Sequence, residues 1–304
     1  RRYFRTEERS LWQRIPLDAP GWVSEFGELH GIKGIIPSKE VEIRPFLLSK
    51  METYPGEPGN PFKTGRNYGL NAGVDAKIGV TNDLTLNLTI NPDFGQVEAD
   101  PAVIALDGFQ VFYPEQRPFF VESKNIFNYT FSDSQDNLFY SRRIGRAPQG
   151  WVSPGENSFV TMPNNTSILG AAKFSGKTKS GWSIGVLESV TNREYAKVDE
   201  SGSQKRVLVE PLTNYFVGRT QKDFNNRNSY LGGIITSTIR NMESANLDFL
   251  HSAAFSSGID FMHNWKNRKY YIKGNVIMSH VKGGKQAIVS TQLSMTHLFQ
   301  RVDA

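Results

Sequence analysis

The side chains best suited to chemistry are the carboxylates of one segment, residues 92 to 127, and the arginines in and after it. The candidate site residues are Asp93, Glu98, Asp100, Glu115, Arg117, Glu122, Arg142, Arg143 and Arg146. Two carboxylates facing one glycosidic bond act as the acid and the nucleophile of a glycosidase. An arginine facing a carboxylate forms a planar two-bond fork, which can lock a loop in place. The spacing leaves both readings open and favours structural ion pairs, so no catalytic residue is assigned.

Other kinds of site have little support in the sequence. The chain has no cysteine, and its five histidines are far apart without ligand-like spacing. No nucleophile elbow or phosphate-binding loop is present. The formal net charge of +5 is spread along the chain rather than gathered in a basic run, which is unlike a nucleic-acid footprint. We therefore predict no metal, no cofactor and no nucleic-acid partner.

The segment with these carboxylates lacks the alternation of apolar and polar side chains that precedes it. Asp100 before Pro101 is a good helix start, and Pro114 would end that helix. One side of the helix would be apolar, through Val103, Ile104, Phe109 and Phe112. A loop so rich in phenylalanine is poorly tolerated in open water. We expect an insertion, residues 92–136, that folds inward like a plug.

The elements that must position this insertion are β-strands. From Gly69 to Asn91 apolar and polar side chains alternate through two strands joined at Thr81-Asn82-Asp83. A period of two indicates strands with one face in an apolar medium and the other in a polar one. Further strands are predicted at about Leu29–Lys50, Thr166–Gly176, Trp182–Val186, Lys205–Arg219, Asn228–Arg240, Asn246–Met262, Lys269–Val281 and Gln286–Gln300.

Two of these segments keep the alternation for about a dozen residues. One face is predicted to hold Phe249, Ala253, Phe255, Ile259 and Phe261 in the first segment, and Tyr270, Ile272, Val276 and Met278 in the second. Strands of globular proteins are usually about 5 to 6 residues long, whereas a tilted membrane-spanning strand needs roughly 9 to 11. Long strands favour a membrane barrel over a soluble β-sandwich, which remains the alternative.

Hydropathy and connections agree with a barrel. No segment approaches the roughly 18 continuous apolar residues of a membrane helix. Short turns alternate with longer polar loops, such as Thr191–Gln204, as in membrane barrels. Several aromatic residues near strand ends would suit interfacial girdles: Trp182, Tyr195, Tyr215, Tyr230, Trp265, Tyr270 and Tyr271. The predicted fold class is all-β, an antiparallel transmembrane β-barrel with a plug-like insertion.

The insertion also carries a family resemblance. The sequence NPDFGQVEADPAVIALDGFQVFYPEQRPFFVESKNIF, followed by LFYSRRIGR, resembles the DUF5916 family of Bacteroidota envelope proteins. Further matching stretches are EPLTNYFVGRTQKDF, FMHNWKNRKYYIKG and HLFQRVDA, where the family pattern has Pro in place of Val302. The resemblance covers about Gly69 to Ala304.

The resemblance implies an N-terminal domain similar to carbohydrate-binding module family 9 and a C-terminal outer-membrane barrel. This chain would then be the first part of the barrel region, which the longer parent chain closes. Residues 1–29 would be an irregular lead-in from an upstream domain and residues 30–304 the barrel region. The expected partners are outer-membrane lipid, a glycan and other envelope proteins.

For function we expect binding or passage of a glycan or other polar solute in the outer membrane, without assigned catalysis. Two alternatives stay open. One is a glycoside hydrolase that uses carboxylates of residues 92–122, since members of the family are often labelled hydrolases. The other is a scaffold that anchors a sugar-binding module or docks a partner protein.

Overall fold

The structure is a computed structural model that describes residues 40–92, 111–131, 136–156 and 158–294, with short pieces before residue 40. The chain divides into two compact units, Arg1–Ser38 and Lys39–Ala304. In the first unit, β1 (Arg2–Tyr3) pairs antiparallel with β2 (Glu8–Arg9). The second unit contains all the elements that follow.

The second unit is built on one antiparallel sheet of nine strands. Their order across the sheet is β14, β13, β12, β11, β8, β7, β5, β4, β3. The strands are β3 (Val41–Thr53), β4 (Arg66–Gly79), β5 (Leu84–Ile90), β7 (Ile168–Lys177), β8 (Trp182–Thr191), β11 (Thr213–Phe224), β12 (Ser229–Arg240), β13 (His251–Trp265) and β14 (Tyr270–Gly283). Eight of the nine have ten residues or more, so the predicted long strands are confirmed.

The predicted hairpin of Gly69 to Asn91 is present as β4 and β5. Lys77 pairs with Asn87 and Ile78 with Leu86, which puts polar and apolar pairs on opposite faces. The Thr81 hydroxyl oxygen closes the turn by accepting hydrogen bonds from the backbone N–H groups of Asp83 (3.3 Å) and Leu84 (3.1 Å). Such a hydroxyl contact is a common way for threonine to form a turn.

The register gives the sheet two unlike faces. The covered face, against which the insertion packs, carries Asn87, Lys173, Leu187, Val217, Arg219, Ile234 and Asp260. The bare face carries Val41, Ile43, Leu70, Val186, Ile235, Ile259, Val276 and Met278. The predicted sharing of one face by Phe255, Ile259 and Phe261 is confirmed, since all three lie on the bare face. The inclusion of Phe249 is wrong, because Phe249 lies before β13 and packs near Leu247 and Leu250.

A smaller sheet joins β6 (Ser158–Thr161), β9 (Glu194–Glu200) and β10 (Ser203–Glu210). The prediction of one strand from Lys205 to Arg219 is therefore wrong, because β10 and β11 belong to different sheets. Pro211 lies between them and has no N–H to continue a ladder. The expected polar loop at Thr191–Gln204 likewise contains β9.

Three short α-helices, α1 (Pro118–Val121), α2 (Lys124–Phe127) and α3 (Lys285–Gln292), and two 3-10 helices, Ser141–Arg143 and Ala245–Leu247, complete the described elements. The strand predicted at Gln286–Gln300 is wrong over its described part, because α3 lies there. Gly284 supplies the N-cap, and Ala287 is fully buried against Gly283. Alternation and helical spacing both fit so short a segment. No helix in the described ranges is long and apolar enough to cross a membrane.

A buried ion pair crosses the sheet on the covered face. Arg219 of β11 donates from Nη1 to Asp260 Oδ1 of β13 (2.5 Å) and from Nη2 to Oδ2 (2.8 Å). The two side chains meet over Gly232 of β12, where an added Cβ would lie 2.6 Å from Arg219 Nη1 and 2.7 Å from Asp260 Oδ1. Only glycine leaves room for this pair.

This geometry generates the first prediction. Gly232→Ala should lower the free energy of unfolding by about 3 kcal/mol, because it pushes apart an ion pair that is shielded from water. The measurement is denaturant unfolding of the purified protein. The neighbouring Gly233→Ala is the control, since its added Cβ would meet only the Gly258 carbonyl oxygen, at 3.6 Å. Equal effects of the two substitutions would contradict the assigned role of Gly232.

Candidate functional site

The described part of the insertion packs its aromatic side chains on the covered face. Phe120, Phe127 and Tyr129 are buried in one cluster with Leu187, Val217 and Ile234 of the sheet, together with Ile144 and Ile168. Burial of each such side chain contributes roughly 1.5–3 kcal/mol relative to exposure. Phe120 and Phe127 are thus buried against the strands, whereas Phe112 is 38% exposed and the rest of the predicted helix lies outside the described residues.

Two glycines of the sheet make room for these rings. A Cβ on Gly185 of β8 would lie 2.9 Å from the Phe127 ring, and one on Gly258 of β13 would lie 2.6 Å from the Tyr129 ring. The Tyr129 hydroxyl donates to the Ile259 carbonyl at 2.9 Å. The insertion thus reaches the sheet backbone at positions without a side chain.

Arg117, at the start of α1, forms a planar two-bond fork with Glu115. Its Nε donates to Glu115 Oε1 at 2.8 Å and its Nη2 to Glu115 Oε2 at 2.7 Å. The same guanidinium donates to the backbone carbonyls of Ile144 (2.6 Å) and Ser141 (2.8 Å). The bonds to the two carbonyls tie residues 115–117 to residues 141–144.

The Glu115 carboxylate accepts three further hydrogen bonds. Oε1 also accepts from the backbone N–H groups of Gln116 and Arg117, and Oε2 accepts from the Ser141 hydroxyl at 2.5 Å. Burial raises the pKa of Glu115, but the hydrogen bonds and charge of Arg117, with the Ser141 hydroxyl, outweigh burial and hold the pKa below its ordinary value. A carboxylate with five donors is poorly suited to exchange protons with a substrate.

Lys173 and Glu122 fix the next part of the insertion. Lys173, almost fully buried on β7, donates from Nζ to the carbonyl oxygens of Phe119 and, at 2.7 Å, Glu122 at the end of α1. The Glu122 carboxylate pairs with Lys77 Nζ (3.0 Å) and accepts from Asn87 Nδ2 (3.1 Å). Three strands, β4, β5 and β7, therefore hold the end of α1 by charge-assisted bonds.

The remaining candidate residues have different positions. Arg142 donates from Nη1 to the Pro114 carbonyl at 2.8 Å and so joins the Arg117 region. The Arg143 side chain is exposed. The backbone carbonyl of Arg146 accepts from the N–H (2.9 Å) and hydroxyl (2.8 Å) of Thr166. Asp93, Glu98 and Asp100 lie outside the described residues, as does the predicted helix start.

A cavity of about 570 Å³ lies between the insertion, residues 137–141 and the sheet. Its lining combines aromatic and amide side chains (Tyr113, Phe139, Tyr140, Asn125, Asn128 and Asn137) with the charged Glu115, Lys124 and Lys173. This volume is in the range of small-molecule sites, and such a lining suits a polar ligand. Over the described parts of the chain, no three His, Asp or Glu side chains are grouped to hold a metal ion.

Sequence reasoning missed two contributors to this site. Lys173 lies in the predicted strand segment Thr166–Gly176, but alternation alone does not show which polar side chain of a strand meets the insertion. The Arg219–Asp260 pair joins residues 41 positions apart. Lys173 lies between Ala172 and Phe174, and a long polar side chain between apolar neighbours is a sequence signal for a buried charge. The partner of such a side chain depends on strand register, which the sequence does not give.

The Glu115–Arg117 fork has a built-in control, which gives the second prediction. Arg44 and Glu42 make the same fork at the same spacing, with Nε–Oε1 and Nη2–Oε2 distances of 2.6 and 2.7 Å, but on an exposed surface. Glu115→Gln should cost about 3 kcal/mol of unfolding free energy, because it leaves Arg117 buried without its counter-charge. Glu42→Gln should leave the unfolding midpoint unchanged. Equal shifts in the two variants would refute the locking role.

The pKa of Glu115 gives the third prediction. A carboxyl group whose pKa is lower folded than unfolded stabilises the fold above its unfolded pKa, and the contribution disappears as pH falls through the folded pKa. Limited proteolysis within residues 111–131 should therefore accelerate as the pH is lowered below about 4. In Glu115→Gln, cleavage should already be fast at neutral pH and should show a weaker pH dependence. An unaltered pH profile in that variant would contradict this assignment.

A known protein family matches most of the chain. Residues 41–302 match the family model DUF5916, a domain of unknown function. That range includes the nine-stranded sheet and the insertion, so the resemblance predicted from the sequence is confirmed. No curated protein and no solved structure matches the chain. The protein belongs to the DUF5916 family.

Proposed function

We propose that the nine-stranded sheet is part of the wall of an outer-membrane β-barrel, and that the insertion is a plug that controls passage of a polar solute such as a glycan fragment. The bare face would contact lipid, and the covered face would line the interior. The observation that carries the proposal is the distribution of apolar side chains between the two faces.

Apolar side chains of the bare face are solvent-exposed to an extent unusual for a water-soluble protein. Leu70, Val276 and Met278 are exposed to 67–75%, and Ile43, Ile235 and Ile259 to 54–65%. Soluble monomers rarely expose continuous apolar patches above a few hundred Å². A soluble sandwich would bury these side chains between two sheets, whereas a membrane barrel needs them against acyl chains.

The strand lengths support the same proposal. At about 3.3 Å per residue, a strand of 12 residues such as β11 or β12 extends about 40 Å, and a tilt of about 45° brings its span to about 28 Å. That matches the hydrocarbon thickness of a bilayer, about 30 Å. In a closed barrel the edges of β3 and β14 would also be paired, because unpaired backbone groups in lipid cost several kcal/mol each.

The covered face has the polarity expected of a barrel interior. It carries Arg219, Gln221, Asp223 and Lys177 in a connected series, with Lys177 Nζ 2.6 Å from Asp223 Oδ2. Ion-paired side chains and a packed insertion are how barrels narrow or close their lumen. The cavity beside Tyr113 and Tyr140 supports binding of a polar solute there.

The rival proposal of a glycoside hydrolase has weaker support among the described residues. Glu115 is saturated by hydrogen-bond donors, and the Glu122 carboxylate is paired with Lys77 and Asn87. Both arrangements suit locking of the insertion. A scaffold role is compatible with the same wall and plug and is separated from passage by the following experiment.

The fourth prediction concerns conductance of the protein reconstituted in planar lipid bilayers. The intact protein should conduct weakly, and deletion of residues 92–127 should open a large pore. Arg117→Lys should give intermittent openings, because a lysine cannot make the two-bond fork that locks the insertion. Arg44→Lys, which alters the exposed fork, should behave like the intact protein. If neither the intact nor the deleted form conducts, passage is refuted and the scaffold role is favoured.

A further inference from the structure

The short turns at one end of the nine-stranded sheet form a surface distinct from the insertion site. We call this surface the turn end and define it as residues 80–83, 177–182, 222–229 and 263–271. Three of its turns touch one another. Asp223 N–H donates to the Gly181 carbonyl (2.9 Å), and Asn264 N–H donates to the Asn228 carbonyl (2.7 Å). The turn end is therefore one continuous surface.

The turn end is strongly basic. Its two acidic residues are Asp83 and Asp223, and its seven basic residues are Lys177, Lys179, Lys222, Arg227, Lys266, Arg268 and Lys269. Asp223 already forms an ion pair with Lys177. Lys179, Arg227, Lys266 and Lys269 are exposed and have no ion-pair partner within the described parts of the chain. The surface carries uncompensated positive charge.

Charges at the opposite end of the sheet are arranged differently. There Arg193 pairs with Glu243, Lys63 with Glu57 at 3.2 Å, and Lys50 with Glu52 at 2.6 Å. Arg66, Lys282 and Lys285 are exposed at that end without an ion-pair partner among the described residues, so neutralisation there is partial. The excess of seven basic over two acidic side chains at the turn end favours an anionic partner.

Aromatic side chains border the turn end on the bare face. Trp265 stacks on Tyr270 (ring centroids 6.1 Å apart) and on His263 (5.6 Å). Lys266 Nζ lies 5.4 Å from the centre of the Tyr270 ring, and Lys222 Nζ lies 5.3 Å from that of Trp182. Amphipathic rings beside lysines that extend toward the polar layer are typical of the level of lipid headgroups.

We propose that the turn end binds the phosphates of anionic glycerophospholipids in the adjoining membrane leaflet, an inference that rests on the proposed membrane location. The aromatic rings lie at the depth of the glycerol layer, and the basic turns reach the headgroup phosphates. Anionic headgroups attract basic segments within about a Debye length of the surface. The same contacts orient the sheet, because the turn end carries seven basic against two acidic side chains.

Lipid retention tests this proposal. The full-length protein is equilibrated in nonionic micelles with equal parts of phosphatidylglycerol and phosphatidylcholine, and retained lipid is counted by native mass spectrometry. The turn variant combines Lys179→Gln, Arg227→Gln, Lys266→Gln and Lys269→Gln. The control variant combines Lys63→Gln, Lys205→Gln, Lys282→Gln and Lys285→Gln, four exposed lysines away from the turn end that give the same change in net charge.

We expect the wild type and the control variant to retain phosphatidylglycerol over phosphatidylcholine by about tenfold, decreasing with added salt, and the turn variant to lose this preference. A full preference in the turn variant, or none in the wild type, would overturn the proposal. Displacement of phosphatidylglycerol by added lipid A would also overturn it, since the phosphate source would then be lipopolysaccharide. Normal bilayer insertion without headgroup preference refutes this inference alone, whereas failure to insert refutes the proposed membrane location.

Discussion

The structure depends on the different environments of the two faces of one sheet. The bare face carries mainly apolar side chains, and the covered face carries polar side chains around an apolar centre of Leu187, Val217 and Ile234, because successive side chains of a strand point in opposite directions. A shift of one residue in register would exchange the faces of a whole strand. The Arg219–Asp260 pair across Gly232 and the contact of Tyr129 with the β13 backbone at Gly258 both require the observed register.

The insertion packs against the covered face of the sheet. Its aromatic residues fill the apolar centre of the covered face, and its backbone carbonyls are held by Arg117 and Lys173. Buried charges are tolerated here because each has a partner in good geometry. The insertion therefore behaves as part of the wall rather than as a loose loop. This explains why the candidate carboxylates of the described region serve as anchors.

Much of the sheet could be predicted from the sequence, because alternation is a local property. The faces of β4, β5, β13 and β14 follow directly from it. The errors arise where local pattern is ambiguous. The residues of α3 fit a period of two as well as a helix, and Pro211 separates β10 from β11 within a segment that the sequence predicts as one strand. Which strands pair across the sheet is not encoded locally.

The same distinction applies to the site. Glu115 and Arg117 are two positions apart, so their fork could be anticipated, whereas Lys173 meets α1 across more than fifty residues. Family membership adds no reaction, because the matched family is a domain of unknown function. The physical argument for function therefore comes from the surface of the sheet, and above all from the exposed aliphatic side chains of the bare face.

The most direct test of this account uses the absence of native cysteine. Single cysteines at residue 231 and at residues 233 to 239 of β12 can carry a nitroxide in the protein reconstituted into lipid vesicles; residue 232 is left as glycine because a Cβ there would displace the Arg219–Asp260 pair. We expect strong relaxation by oxygen dissolved in the bilayer at the bare-face positions 231, 233, 235, 237 and 239, and weak relaxation at positions 234, 236 and 238. Relaxation of the bare-face positions by a water-soluble reagent instead, or no alternation, would contradict a lipid-facing sheet.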